Sequence, residues 1–297
     1  MSALAPSIWE RLETLSCRTT LADGPRRVVR CAPPGGGGGH PAVVAKFYRD
    51  GDGAPSARTL EVIHAALERS ASPFLGVPRV LGYDPRRRVL LQEHVPGVRL
   101  DALLAGPDAS TALYRAGRAL AALHGLAAAV GPARRLRDHL DDLFRPHPTR
   151  VGEESPALAA RLPAVLDALL AAESRWRPRP RDVPIHRDVH ARQLFLDGER
   201  VWLVDWDLCA RGDGALDLGN FAAWLRARRG AGDEAVGSLL RGYAESGDAG
   251  VVARAPLYEA LTYVRLCCKR FRLKPAGWRG ECADLVARAE RCVSREP

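Results

Sequence analysis

Two kinds of hydrophobic pattern divide this chain. As far as residue 93, apolar residues come in short β-rich runs separated by turn formers; from residue 110 on they recur three and four positions apart. A short amphipathic helix with Ser7 as its cap is expected over 7–15. Strands are expected over 17–21, 27–31 and 42–48, the first turned into the second by Asp23-Gly24-Pro25. Pro33-Pro34 and five glycines at 35–39 join the second to the third. A helix over 57–69 and strands over 76–83 and 88–93 complete this part. The later spacing predicts helices over 110–129, 137–144, 156–173, 215–229, 233–245, 256–273 and 278–293. One β-rich interruption stands among them. Leu194-Phe195-Leu196 and Val201-Trp202-Leu203-Val204 flank Asp197-Gly198, a hairpin signal. There is no internal repeat.

The polar residues that break these runs carry the chemistry. Asp188, Asp205 and Asp207 sit at the ends or edges of apolar segments rather than among other charges. Asp188 and Asp205 are 17 positions apart, but the hairpin folds the chain back and makes them plausible neighbours. Holding carboxylates close together costs free energy unless a cation or a reaction uses them. Mg²⁺, which takes carboxylate oxygens together with substrate phosphates, is the obvious cation. A second arrangement stays open: His186-x-Asp188-x-His190 places alternate residues on one face of an extended strand, as a hydrolase metal cluster would. That cluster needs further ligands, and the other histidines are scattered without paired spacing. Lys46 lies in Val43-Val44-Ala45-Lys46-Phe47-Tyr48, and only three of the 44 basic residues are lysines. An ammonium in so apolar a strand calls for an anionic partner, unless it snorkels from an edge.

Composition narrows the class without naming it. At 297 residues the chain suits two lobes, and 46% hydrophobic with 27% charged residues is ordinary for a soluble globular protein. No apolar run reaches membrane-span length, and the first residues lack a secretory pattern. The seven cysteines show no C-x-x-C pair, so a cytoplasmic protein with reduced thiols is expected. The charge of +9 attracts polyanions. The arginines are nevertheless spread along the whole chain, with no basic run interleaved with aromatics, so a solvated surface explains them better than a nucleic-acid face. The five glycines are followed by a strand and no G-K-[ST], so they are not a Walker A loop.

H-x-D, a strand hairpin and D-x-[DE] resemble the aminoglycoside phosphotransferase/choline kinase family, distant relatives of protein kinases. His186-Arg187-Asp188 resembles the kinase H-R-D. The resemblance implies an α+β, bilobal, protein-kinase-like fold. An N-terminal antiparallel β-sheet lobe with one main helix (1–94) would bind nucleotide, and a larger, mostly helical lobe (95–297) would hold the catalytic and acceptor sites. It implies ATP and Mg as cofactors and a small-molecule hydroxyl acceptor. Asp188 would receive or orient the acceptor proton, and Asp205 would hold metal. The family's asparagine falls at Gln193, whose amide oxygen sits one methylene further out. Either Gln193 reaches the metal, or Asp207 compensates. V-V-A-K resembles the third-strand lysine motif, so Lys46 would grip the inner phosphates, with Glu61 of the next helix as its partner and Glu68 as the alternative. The turn at 22–25 would cover the phosphates. Val89 to Gly97 resembles the hinge, with Glu93, His94 and Val95 offering backbone groups to adenine. His124 matches the family's L-H helix and is read as core packing, and Asp217 as a helix cap and loop anchor.

The acceptor is open at this point. Asp138, Asp141 and Asp142 form an acidic cluster suited to a polycation, whereas Arg265, Lys269, Arg270, Arg272 and Lys274 crowd one late helix and favour a neutral or anionic metabolite. A kinase-like binding protein with weak transfer activity, or a non-specific nucleic-acid binder, are the other function classes; oligomeric state is not legible.

Overall fold

The computed structural model describes residues 17–22, 26–32, 42–177, 179–227 and 232–294. The expected helix at 7–15, the turn at 23–25 and the glycine run lie outside these residues. β1 (Cys17–Ala22), β2 (Arg26–Ala32) and β3 (Val43–Tyr48) lead into helix α1 (Ala54–Ser70), followed by β4 (Leu75–Gly76), β5 (Val80–Asp84) and β6 (Val89–Glu93). Five of these strands form an antiparallel sheet in the order β1-β2-β3-β6-β5. Alternation along β3 decides the layers. Ala45 joins Val29, Cys31, Val89 and Leu91 in a small core. Tyr48 joins Leu60 and Ile63 of α1 in the main core, and Lys46 lies on the Tyr48 side of the strand.

The expected strand over 76–83 is two strands in different sheets. Pro78 has no N–H for a ladder, and the chain leaves one sheet before it and enters another after it. β4 pairs in parallel with β10 (Arg200–Leu203), which is hairpinned to β9 (Leu194–Asp197) across Gly198-Glu199, one residue later than expected because Asp197 pairs with Arg200. The far side of β9 pairs with β7 (Val98–Arg99). A third, two-stranded sheet pairs β8 (Val183–Ile185) with β11 (Ala210–Gly212). It closes the base of the loop carrying Asp188, Asp205 and Asp207, because residue 185 is held against residue 210.

The rest is helical: α2 (Leu100–Leu103), α3 (Ala109–His124), α4 (Leu136–Leu143), α5 (Pro148–Glu154), α6 (Pro156–Ala159), α7 (Arg161–Arg175), α8 (Ala215–Ala227), α9 (Asp233–Ala244), α10 (Ala249–Leu273) and α11 (Trp278–Val293). The expected helix over 110–129 stops at His124, with Gly125 as its cap. The stretch over 156–173 is broken at residue 160. α10 begins at Ala249 rather than at Pro256: Asp248 caps it by accepting from the Gly250 amide (2.7 Å), and Pro256 sits inside it. Among the described residues no helix is long and apolar enough to cross a membrane. The fold is α+β and bilobal, a sheet with one main helix above a larger helical part.

α8, which starts beside the aspartate loop, packs on α10 through Gly219. A Cβ there would stand 2.5 Å from the Glu259 nitrogen and 2.6 Å from the Ala255 oxygen. Gly219→Ala therefore forces the two helices apart and is expected to lower stability by about 1–3 kcal/mol in denaturant unfolding. An unchanged midpoint would show that the crossing tolerates the methyl group.

Candidate active site

Lys46 is only 5% exposed, and its burial is compensated. Its Nζ donates to Asp205 Oδ1 at 2.5 Å and stands 2.7 Å from Asp207 Oδ2. Arg26, at the start of β2, adds a second cation: its guanidinium bonds Asp207 and reaches Asp205 Oδ1 at 3.4 Å. Burial works against the charged form of Asp205, but the adjoining Lys46 ammonium outweighs it and holds the carboxyl below its usual range. Asp207 also accepts from the Tyr48 hydroxyl (2.9 Å) and the Ser56 hydroxyl (2.7 Å), both on Oδ1. Burial, reinforced by the Asp207 charge, pushes the Tyr48 phenol far up, so it donates at any ordinary pH.

This arrangement corrects one expectation. The Lys46 partner is not Glu61, which is exposed on α1, nor Glu68, which meets His64 at 3.4 Å. Asp207 meets the ammonium instead. Each of its oxygens already meets two donors, and it does the work assigned to the helix glutamate. Ser56, not a carboxylate, is what α1 sends to the cluster. Arg26, Tyr48 and Ser56 carried no distinguishing sequence signal.

The loop after β8 is held from below. Asp217, fully buried at the start of α8, accepts from the His186 and Arg187 amides (both 2.8 Å) and from His124 Nε2 (3.2 Å). Burial opposes its charge, and these bonds, with His124 foremost, more than offset that and lower its pKa. His124, expected only to pack, thus braces the loop, and its Nδ1 meets the Tyr243 hydroxyl at 2.9 Å. The bonds hold Arg187 in a left-handed conformation (φ 70°), and Asp205 is held likewise (φ 71°). The His186 ring bonds the Val204 carbonyl (2.9 Å) and lies edge-on to Trp206. His190 Nδ1 accepts from the Arg192 amide (3.3 Å), and its ring stacks on Trp224. Both imidazoles are therefore committed to the scaffold rather than to a metal cluster with Asp188. Burial lowers the His190 pKa, against the opposing charges of Asp188 and Asp205.

Gln193 donates through Nε2 to Asp205 Oδ2 at 3.3 Å, while its Oε1 is buried without a partner. An unpartnered amide oxygen beside a carboxylate is a hard-oxygen pair that fits Mg²⁺. Among the described residues no group of three or more His, Cys, Asp or Glu is assembled for a metal, so such an ion would complete its shell from phosphates and water. In the hinge, the Glu93 amide bonds the Arg79 carbonyl (2.9 Å) and the His94 amide the Ala42 carbonyl (3.3 Å). Both amides are thus engaged within the protein; among the described residues the Val95 amide remains uncommitted.

Asp188 Oδ1 accepts from Arg265 Nη2 at 3.1 Å, and the Arg265 Nη1 donates to the Arg187 carbonyl at 3.2 Å. Asp188 opens onto a cavity of about 360 Å³ between α4, α8 and α10. The acidic cluster does not line it freely. Asp138 accepts from the Arg135 amide (2.7 Å), and Asp142 pairs with Arg134 and Arg187 (both 3.1 Å).

The chain is similar to known kinases and phosphotransferases. Thiamine kinases of Salmonella paratyphi B and Salmonella newport are each 36% identical over 72 residues, which is 24% of this chain and 26% of theirs; the match spans about a quarter of those relatives. A choline/ethanolamine kinase family protein from Mesorhizobium loti superimposes with a TM-score of 0.63 at 19% identity, over 94% of this chain and 88% of that one. A thermostable mutant of aminoglycoside phosphotransferase APH(4)-Ia with ADP and hygromycin B gives 0.66 at 17% identity, over 97% of each chain. Amicoumacin kinase hAmiN, in complex with AMP-PNP, Ca²⁺ and Ami, gives 0.67 at 13% identity, over 98% of this chain and 93% of that one. The model of the phosphotransferase enzyme family (APH) matches residues 26–257, most of the length, and the chain belongs to that family.

Proposed function

We propose that the protein is an ATP-dependent small-molecule kinase that moves the γ-phosphoryl group of ATP to an acceptor hydroxyl. The observation that carries this reading is the buried Lys46 paired with Asp205 beside the loop of Asp188. The names of the relatives, thiamine kinase and amicoumacin kinase among them, point the same way. Residues 1–94 would hold the nucleotide and residues 95–297 the acceptor, with the backbone of Glu93 and Val95 facing adenine.

Phosphoryl transfer asks for alignment and charge neutralisation. Lys46 and Arg26 stand ready to meet phosphate oxygens. Asp188 orients the acceptor hydroxyl and takes its proton. A bond forms between the acceptor oxygen and the γ-phosphorus, the bond from that phosphorus to the β–γ bridging oxygen breaks, and ADP leaves with the electron pair. Asp205 and Gln193 would hold Mg²⁺, which when bound neutralises charge on the phosphates. Asp207 acts at one remove, fixing the direction of Lys46. Gln193, in place of the family's asparagine, motivates a second reading: nucleotide binding without turnover on any hydroxyl acceptor.

A screen of hydroxyl compounds for ATP consumption tests the first reading. Asp188→Ala is expected to cut transfer by about 10²–10⁴-fold while Mg-ATP binding persists; full turnover in this variant would remove Asp188 from the chemistry. The division of labour between Asp207 and Gln193 has its own readout. Asp207→Asn is expected to raise the KM for ATP with the Mg²⁺ requirement unchanged, whereas Gln193→Ala shifts the Mg²⁺ concentration for half-maximal rate upward. The opposite pattern in Mg²⁺ titrations would make Asp207 the ligand.

A further inference from the structure

The cavity in front of Asp188 has a sign. Arg145, Arg192, Arg265, Lys269 and Arg272 line it, and Asp188 is the one carboxylate among its lining residues. Three of these cations share one face of α10, since residues 265, 269 and 272 follow at four- and three-residue steps. Their partners differ. Arg265 is tied to Asp188 (3.1 Å), Arg192 lies 3.5 Å from Asp101, and Arg145 donates to the carbonyls of Asp141 (2.8 Å) and Phe144 (2.7 Å). Lys269 and Arg272 have no carboxylate partner among the described residues, although Arg270 and Lys274, their neighbours on the same helix, are paired with Glu281 and Glu154. Arg265 thus spends its charge on Asp188, whereas Lys269 and Arg272 face the cavity unneutralised. Trp224, Leu143 and Leu266 give the same cavity an apolar side.

Taking the transfer reading above as given, we infer that the acceptor is an anion: a hydroxyl compound that also carries a phosphate or carboxylate group. The hydroxyl meets Asp188 near Arg265, and the anionic group lies one to two helical turns along α10, against Lys269 and Arg272, about 6–10 Å away at the helical rise. The carbon skeleton rests on Trp224. Like charges exclude a polycation from this wall, so the cavity selects against the class of acceptor that the hygromycin-binding relative takes.

The test is calorimetric and needs no turnover. The full chain, saturated with Mg²⁺ and ADP, is titrated with inorganic pyrophosphate as probe anion and with hygromycin B as probe polycation. The same is done with Lys269→Glu/Arg272→Glu, a reversal at two exposed positions, and with the milder Lys269→Gln/Arg272→Gln. Pyrophosphate is expected to bind the wild type and to weaken at least tenfold in the reversal, with the neutral variant in between. Equal pyrophosphate affinity in all three proteins, no pyrophosphate binding to the wild type, or tighter binding of hygromycin B overturns the anionic assignment. Uptake of Mg-ADP is read separately: its absence overturns the kinase reading, while the anion titrations still decide the character of the cavity.

Discussion

The molecule is organised around one buried ammonium. Lys46 comes from the central part of the first sheet, whereas the carboxylates that satisfy it, Asp205 and Asp207, come from the loop beyond the hairpin, some 160 residues later (|i−j| of 159 for Lys46–Asp205). Neither half can bury its charge alone, because an unpaired ion in a dry interior is too costly. The pairing therefore does more than neutralise. It fixes the sheet over the loop that carries Asp188, through side chains of opposite sign.

A second carboxylate does for the loop what Asp207 does for the lysine. Asp217 is enclosed, yet its oxygens accept from two consecutive backbone amides and a histidine. This lets Arg187 adopt a backbone conformation uncommon for a side-chain-bearing residue, and so points Asp188 outward instead of into the helical core. The two anchors act on opposite ends of the same loop, with the β8–β11 pair closing its base.

What the sequence disclosed depended on contrast. Lys46 was legible because lysine is scarce here and its strand is apolar, and the hairpin was legible because Asp-Gly sits between two β-rich runs. Arg26 belongs to the same charged cluster, but one arginine among so many has no local mark. The pairing of Asp207 with Lys46 was not legible for a related reason: a donor set drawn from β2, β3 and α1 is assembled only by tertiary contact. Glu61 had the right charge and helix but the wrong face. The break at Pro78 shows a different limit, since a proline inside a run of β formers does not say that the two halves join different sheets. The start of α10 was hidden because a proline, favoured in the first turn of a helix, drew the boundary to itself although Asp248 supplies the cap further upstream.

The hairpin is hung from both edges. β4 borders β10 in parallel, β7 borders β9 antiparallel, and both flanking strands belong to segments that run between the five-stranded sheet and the helices. Gly97 presses so near to Leu196 that a Cβ would lie 2.2 Å from its carbonyl oxygen. Displacing the hairpin would break pairing on one side or the other, so the position of Asp205, two residues beyond β10, is tied to the segments that flank the five-stranded sheet.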